Sequence, residues 1–156
     1  MIMTLLIGLP GSGKTTLARQ LEAERQALRL TPDEWMAPLF GAGEHEGKRW
    51  VLESELLWGV AARALTLGVS VILDYGCWSR AERDLFRKNA QDLGAKAELI
   101  VLQPSIDEVW ARLDARNQAA PAGTFHITRA ELTSYDELFE RPTADELAQY
   151  DQYRQQ

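Results

Sequence analysis

Met3-Thr4-Leu5-Leu6-Ile7-Gly8-Leu9-Pro10-Gly11-Ser12-Gly13-Lys14-Thr15-Thr16 is an apolar run that breaks into glycines and then into helix-forming residues. Residues 8–15 fit the pattern GxxxxGK[ST], which in average composition arises by chance in about one chain of this length in a few hundred. The run before it reads as a strand, and Thr16-Leu17-Ala18-Arg19-Gln20-Leu21 after it has apolar residues at helical spacing. At such a strand-to-helix turn, glycines let successive backbone N–H groups point inward, and the helix adds unpaired donors and its positive dipole end. The expected ligand is ATP, held by Gly8, Leu9, Pro10, Gly11, Ser12, Gly13, Lys14, Thr15 and Thr16. Lys14 would reach the β- and γ-phosphates, and the Thr15 hydroxyl would ligate Mg²⁺. The competing reading, an incidental glycine turn, has little room once the flanking elements are counted.

Outward from the loop, the first helix is expected over Lys14 to Arg25 and a short strand over Ala27 to Leu30. Thr31-Pro32-Asp33-Glu34 has the form of a capping box, opening a short helix through Trp35, Met36 and Leu39. A polar loop, 41–48, separates it from a helix over Arg49 to Leu67 that is apolar around much of its circumference and is expected to be well buried, with Gly68 as its cap. Val69 to Asp74 reads as a central parallel strand and Leu99 to Leu102 as the next. Ser79-Arg80-Ala81-Glu82, Pro104 to Glu108, Thr128 to Glu131 and Thr143 to Glu146 all look like capped helix starts. The chain is expected to end in helix, with four clear strands and no distinct fifth near the C-terminus. Alternation of strand and helix implies right-handed βαβ units, giving an α/β fold with a parallel sheet in the order 2-3-1-4 and helices on both faces.

At 156 residues and 46% hydrophobic composition, one domain over 1–156 is the expectation. The single cysteine, Cys77, rules out an intrachain disulfide and a multi-cysteine metal site, and suits a reducing compartment. No basic leader or long apolar run is present, so the cytoplasm is the expected location and a membrane partner is not expected. A net charge of −6 argues against duplex nucleic acid and leaves a single-stranded nucleic-acid end open; the sequence does not specify an oligomeric state.

Ligands of open parallel sheets bind beyond the carboxyl ends of the strands. Asp74, closing the third strand, has the position of the acid that holds the magnesium shell; the plain alternative is a strand-end aspartate accepting turn N–H bonds. Asp33, at the end of the second strand, is the candidate catalytic base for an acceptor hydroxyl, against the ordinary preference of aspartate for a first helical turn. Arg112 and Arg116, one turn apart, are candidates to close over the γ-phosphate as a lid, against a solvated helical face. Lys48, Arg49, Arg80 and Arg83, with Trp35 and Trp78 as walls, are weaker candidates for the acceptor pocket. His45 and His126 lack metal-ligand spacing, and nothing marks Cys77 as a nucleophile.

These residues together resemble the small P-loop kinases that include polynucleotide kinase, zeta toxins, chloramphenicol phosphotransferase and gluconate kinase, and within that group the AAA-domain ATP-binding proteins. The resemblance rests on GLPGSGKTTLA at 8–18, LTPDEWM at 30–36, VILDYGCWSRAERD at 71–84, RLDARN at 112–117 and FERPTADE at 139–146. It implies the P-loop nucleoside triphosphate hydrolase fold with four to five strands, Asp33 as base, Asp74 at the magnesium site, Arg112 and Arg116 in the lid, and Arg141-Pro142-Thr143 near the adenine. The expected function is a kinase moving the γ-phosphate of ATP–Mg to a hydroxyl of a small, unidentified acceptor. A polynucleotide 5′-hydroxyl kinase is the enzymatic alternative, and a nucleotide-controlled ATPase acting through a partner is the alternative of another class.

Overall fold

The structure, a computed structural model, describes residues 1–122 and 124–156. In chain order the elements are β1 (Ile2–Ile7), α1 (Lys14–Arg25), β2 (Leu28–Leu30), α2 (Asp33–Phe40), α3 (Lys48–Val51), a π-helical stretch (Leu52–Leu57), α4 (Trp58–Thr66), β3 (Val71–Gly76), α5 (Arg80–Asp92), β4 (Lys96–Val101), α6 (Ile106–Ala119), α7 (Arg129–Leu138), α8 (Ala144–Leu147) and β5 (Gln152–Gln155).

The strands form one sheet in the order β2-β3-β1-β4-β5, and every pair is parallel. β1 sits at its centre, with Leu5 opposite both Leu73 and Leu99. Its residues 3–7 are buried, as are those of β3, because helices cover both faces. Alternation divides the core. Leu5, Leu73 and Leu99 join the larger cluster, which includes Met36, Leu57, Leu65 and Phe86. Leu6, Ile72 and Ile100 turn to the other face and pack on Ala18 and Leu21 of α1. Because the strands are parallel and in register, the loops after β1, β2, β3 and β4 gather at one edge of the sheet.

Four expectations change. The chain ends in a strand: Gln152–Gln155 pairs with β4, its side chains exposed, so it carries none of the apolar alternation by which strands are recognised. The 49–67 segment is interrupted by the π-helical stretch, and Leu56, Val60 and Leu67 face solvent while Leu52, Leu57, Ala61 and Leu65 are buried. An added residue in one turn rotates the remainder of the helix by about 100°, so the apolar residues do not form one buried stripe.

The other two changes concern caps. Three capping boxes form, at Ser79–Glu82, Ser105–Glu108 and Thr128–Glu131. At Thr31 and Thr143 none forms. Thr31 donates its hydroxyl to Asp74 and accepts from Arg29, while Glu34 pairs with Arg29; Glu146 is withdrawn into the core by Arg83.

Candidate active site

The turn from β1 into α1 is built on positive φ at Gly8 (149°), Gly11 (79°) and Gly13 (99°). Two of these glycines are also sterically required. A Cβ on Gly8 would stand 2.8 Å from the Leu102 carbonyl oxygen, and one on Gly11 would stand 2.7 Å from Leu113 Cγ. The loop therefore lies flat against β4 and α6. Lys14, half-buried, turns back over it and donates from Nζ to the carbonyl oxygens of Gly8 and Leu9, each at 2.8 Å. Burial lowers the proton affinity of its amine, while Asp74 and Asp33 pull the other way.

Asp74, at 4% exposure, is the convergence point of two hydroxyls: Thr15 Oγ1 donates to its Oδ2 at 2.7 Å and Thr31 Oγ1 at 3.1 Å. Burial pushes its carboxyl upward, and Lys14 and the two hydroxyls offset this in part. A hydroxyl and a carboxylate in contact at the foot of a phosphate cradle suit Mg²⁺, which takes few protein oxygens and keeps its waters and phosphate ligands. Among the described residues there is no cluster of three or more His, Cys, Asp or Glu that could hold a metal ion.

The glycine loop, Lys14, Thr15, Asp33, Asp74, Arg112 and Arg116 line one cleft of about 970 Å³. Arg112, from α6, donates to the carbonyl of Ser12 at 3.2 Å. Arg116 donates from Nη2 to the carbonyl of Phe125 at 3.2 Å, and its buried Nε has no partner among the described residues. Desolvation lowers its proton affinity, with Asp33 the opposing charge. Asp33 itself is gripped by Arg49, Nη1 to Oδ1 at 2.6 Å.

Several candidates lie elsewhere. Arg83 is fully buried, with Nε 2.6 Å from Glu146 Oε1 and Nη2 3.0 Å from Oε2, and it also donates to the carbonyls of Cys77 and Trp78. Arg80 pairs with Asp145 (3.0 Å) and Asp84 (3.6 Å). Neither lines the cleft, and nor do Trp35, which is 45% exposed, and Lys48. All four were expected at the acceptor pocket; Arg80 and Arg83 turn to acidic partners instead, and Trp35 and Lys48 are exposed. Arg49 and Trp78 do line the cleft. Arg141 pairs with Asp136 at 2.7 Å and borders a second cavity of about 340 Å³ that reaches Leu9 and Ser12 on the loop's other side.

The cleft also contains residues that the sequence did not single out: Glu53, Tyr75 and Glu82. Glu53 accepts from Arg49 Nε at 2.9 Å, and burial raises its carboxyl to about 7 despite that guanidinium. Its signal was faint: one of two acids in a helix that is apolar around much of its circumference, four residues after an arginine. Burial pushes the Cys77 thiol well up, which leaves it protonated and unreactive at neutral pH.

The chain is similar over nearly its whole length to several solved structures. Chaetomium thermophilum Kti12 in complex with ADP-AlF3 matches at 18% identity, covering 99% of this chain and 88% of that one, with a TM-score of 0.75. A gluconokinase from Sinorhizobium meliloti matches at 16% identity, over 98% and 80% of the two chains, with a TM-score of 0.64. The APS kinase CysC of Mycobacterium tuberculosis, solved with AMPPNP and APS, matches at 22% identity, over 98% and 87%, with a TM-score of 0.61. No curated protein sequence matches the chain. At these identities the likeness shows the P-loop fold. The family model of the AAA domain matches residues 3–142, and with the phosphate-binding turn, the strand order and the coverage all in agreement, the chain belongs to that family.

Proposed function

We propose that the protein is an ATP-dependent phosphotransferase that moves the γ-phosphoryl group to a hydroxyl of a small acceptor. The observation that carries this reading is that Lys14 and Asp33 open into the same cleft, a cationic group for the donor phosphates and a carboxylate for the acceptor proton. The backbone N–H groups of Gly8 to Thr16 and the Lys14 ammonium bind the polyphosphate. Thr15 and Asp74 would hold Mg²⁺, which would supply charge neutralisation at the phosphate oxygens. Asp33, steered by Arg49, accepts the proton of the acceptor hydroxyl as its oxygen bonds to the γ-phosphorus; the bond from that phosphorus to the bridging oxygen breaks, and ADP leaves. Arg112 and Arg116 stabilise the charge that spreads over the equatorial oxygens.

A polynucleotide groove would draw on Lys48, Arg49, Arg80 and Arg83, but Arg49 is paired with Asp33 and Glu53, Arg80 with Asp145 and Arg83 with Glu146. This favours a small acceptor over an oligonucleotide. The test tracks the γ-phosphate of labelled ATP with and without an acceptor panel. Lys14→Ala is expected to abolish ATP binding, and Asp33→Asn to leave it near normal while slowing transfer about 10²- to 10⁴-fold. Near-wild-type transfer by Asp33→Asn would remove that residue from the mechanism. The likeness to Kti12 allows a second reading, a nucleotide-controlled ATPase acting through a partner. Label that goes only to water under every condition would favour it over the kinase reading.

A further inference from the structure

Part of the cleft wall comes from neither the glycine loop nor the α6 arginines: Trp50, Glu53, Tyr75, Cys77, Trp78 and Glu82. Glu53, Tyr75, Cys77 and Glu82 are near enough to feel one another's charge. The charge in this region is one-sided. Glu53 has one ion-pair partner, Arg49, whose Nε it holds at 2.9 Å and whose Nη1 is already held by Asp33 at 2.6 Å, and Glu82 has no ion-pair partner among the described residues. Glu82 spends Oε2 on the Ser79 N–H at 3.1 Å. Burial carries Glu53 up to about 7 despite its bond to Arg49.

Tyr75 adds an independent sign of a ligand. The residue is 5% exposed, it lines the cleft, and its hydroxyl has no hydrogen-bond partner among the described residues. A buried hydroxyl left unpaired is costly, and at a cleft wall the entering molecule is what pairs with it.

Resting on the kinase reading above, we infer that the acceptor is a hydroxylated amine, whose ammonium lies between the Glu53 and Glu82 carboxylates beside the indoles of Trp50 and Trp78, and one of whose oxygens accepts from Tyr75. A desolvated ammonium is stabilised by carboxylates and by aromatic rings, whereas an anionic acceptor at this wall would meet two carboxylates whose neighbouring guanidinium, Arg49, is already held by Asp33 and Glu53.

The test uses matched probes: glucosamine with N-acetylglucosamine and gluconate, and ethanolamine with N-acetylethanolamine and glycolate. Each is titrated calorimetrically into the full chain loaded with ADP–Mg, and MgATP binding is measured in the same preparation. The amines are expected to bind about tenfold tighter than their N-acetyl partners, and the carboxylates weakest. Glu82→Gln, which keeps an oxygen for the Ser79 N–H, is expected to reduce that preference severalfold with melting unchanged, and Tyr75→Phe to weaken all the hydroxylated probes. Equal or better binding of the neutral or anionic partners overturns the proposal. So does refusal of every amine at millimolar concentration, or an undiminished preference in both Glu82→Gln and Glu53→Gln. MgATP bound while amines are refused overturns this proposal alone; MgATP refused overturns the kinase reading beneath it.

Discussion

Arg83 and Arg112 are both helical arginines near motif residues, yet the first is fully buried against Glu146 and the second is exposed at the cleft rim. Nothing in the local sequence separates them, because each one's fate depends on a residue tens of positions away. A buried pair is expensive to break from one side, since the remaining charge is stranded. Arg83→Ala is therefore expected to cost about 3–5 kcal/mol and to lower the melting temperature by about 6–20 °C. An Arg83→Ala protein that melts normally and loses only acceptor affinity would contradict the structural role. At the glycine loop the opposite holds. The motif alone specified Gly8, Gly13, Lys14 and Thr15, because phosphate binding there depends on consecutive backbone donors and needs no distant partner.

At the level of elements, caps show where local rules prevail. Ser79, Ser105 and Thr128 each accept from the N–H three residues on, as the sequence suggested. Thr31 and Thr143 have the same signature, but Asp74 and Arg83 offer stronger, charge-assisted bonds to Thr31 and Glu146. The π-helical stretch is a further case: the sequence there reads as ordinary helix, and its wide turn carries Glu53 in the cleft wall. Glu53 titrates near 7 in the fold and near the ordinary carboxylate value of about 4.5 when unfolded. Between those values the folded state holds the extra proton, so Glu53's contribution to stability is present at low pH and is lost as pH rises through about 7, on the order of 2–3 kcal/mol. Denaturant unfolding at pH 5 and pH 8 should show this loss in the wild type and a flatter profile in Glu53→Gln. Identical pH profiles would mean that Arg49 compensates the carboxylate fully.

For the molecule as a whole, the parallel sheet is the positioning device. Its carboxyl edge collects the glycine loop, Asp33 and Asp74 from three separate strands. β5 closes the opposite margin beside β4, where Gln156 donates to Val101 at 2.9 Å and accepts from Gln103 at 2.6 Å, and Arg154 pairs with the buried Glu98 at 3.0 Å. Deleting residues 152–156 would uncover the β4 edge and lose roughly a few kcal/mol, at about 1 kcal/mol per hydrogen bond. The expected result is a lower melting temperature and increased light scattering; an unchanged melt would show that β4 needs no cover.

The sequence by itself determined the phosphate-binding turn, the alternation of strands and helices, the buried central strands and three of the helix caps. Each depends on spacing within a few residues, or on runs of apolar side chains that must leave water wherever the chain goes. Only the tertiary structure decided that β5 is a strand, that Arg83 belongs to the core, that Thr31 serves Asp74 and that Glu53, Tyr75 and Glu82 share a wall of the cleft. Those outcomes depend on hydrogen bonds and charge pairs between residues far apart in sequence, whose strength is set by a burial that does not exist until the sheet has assembled.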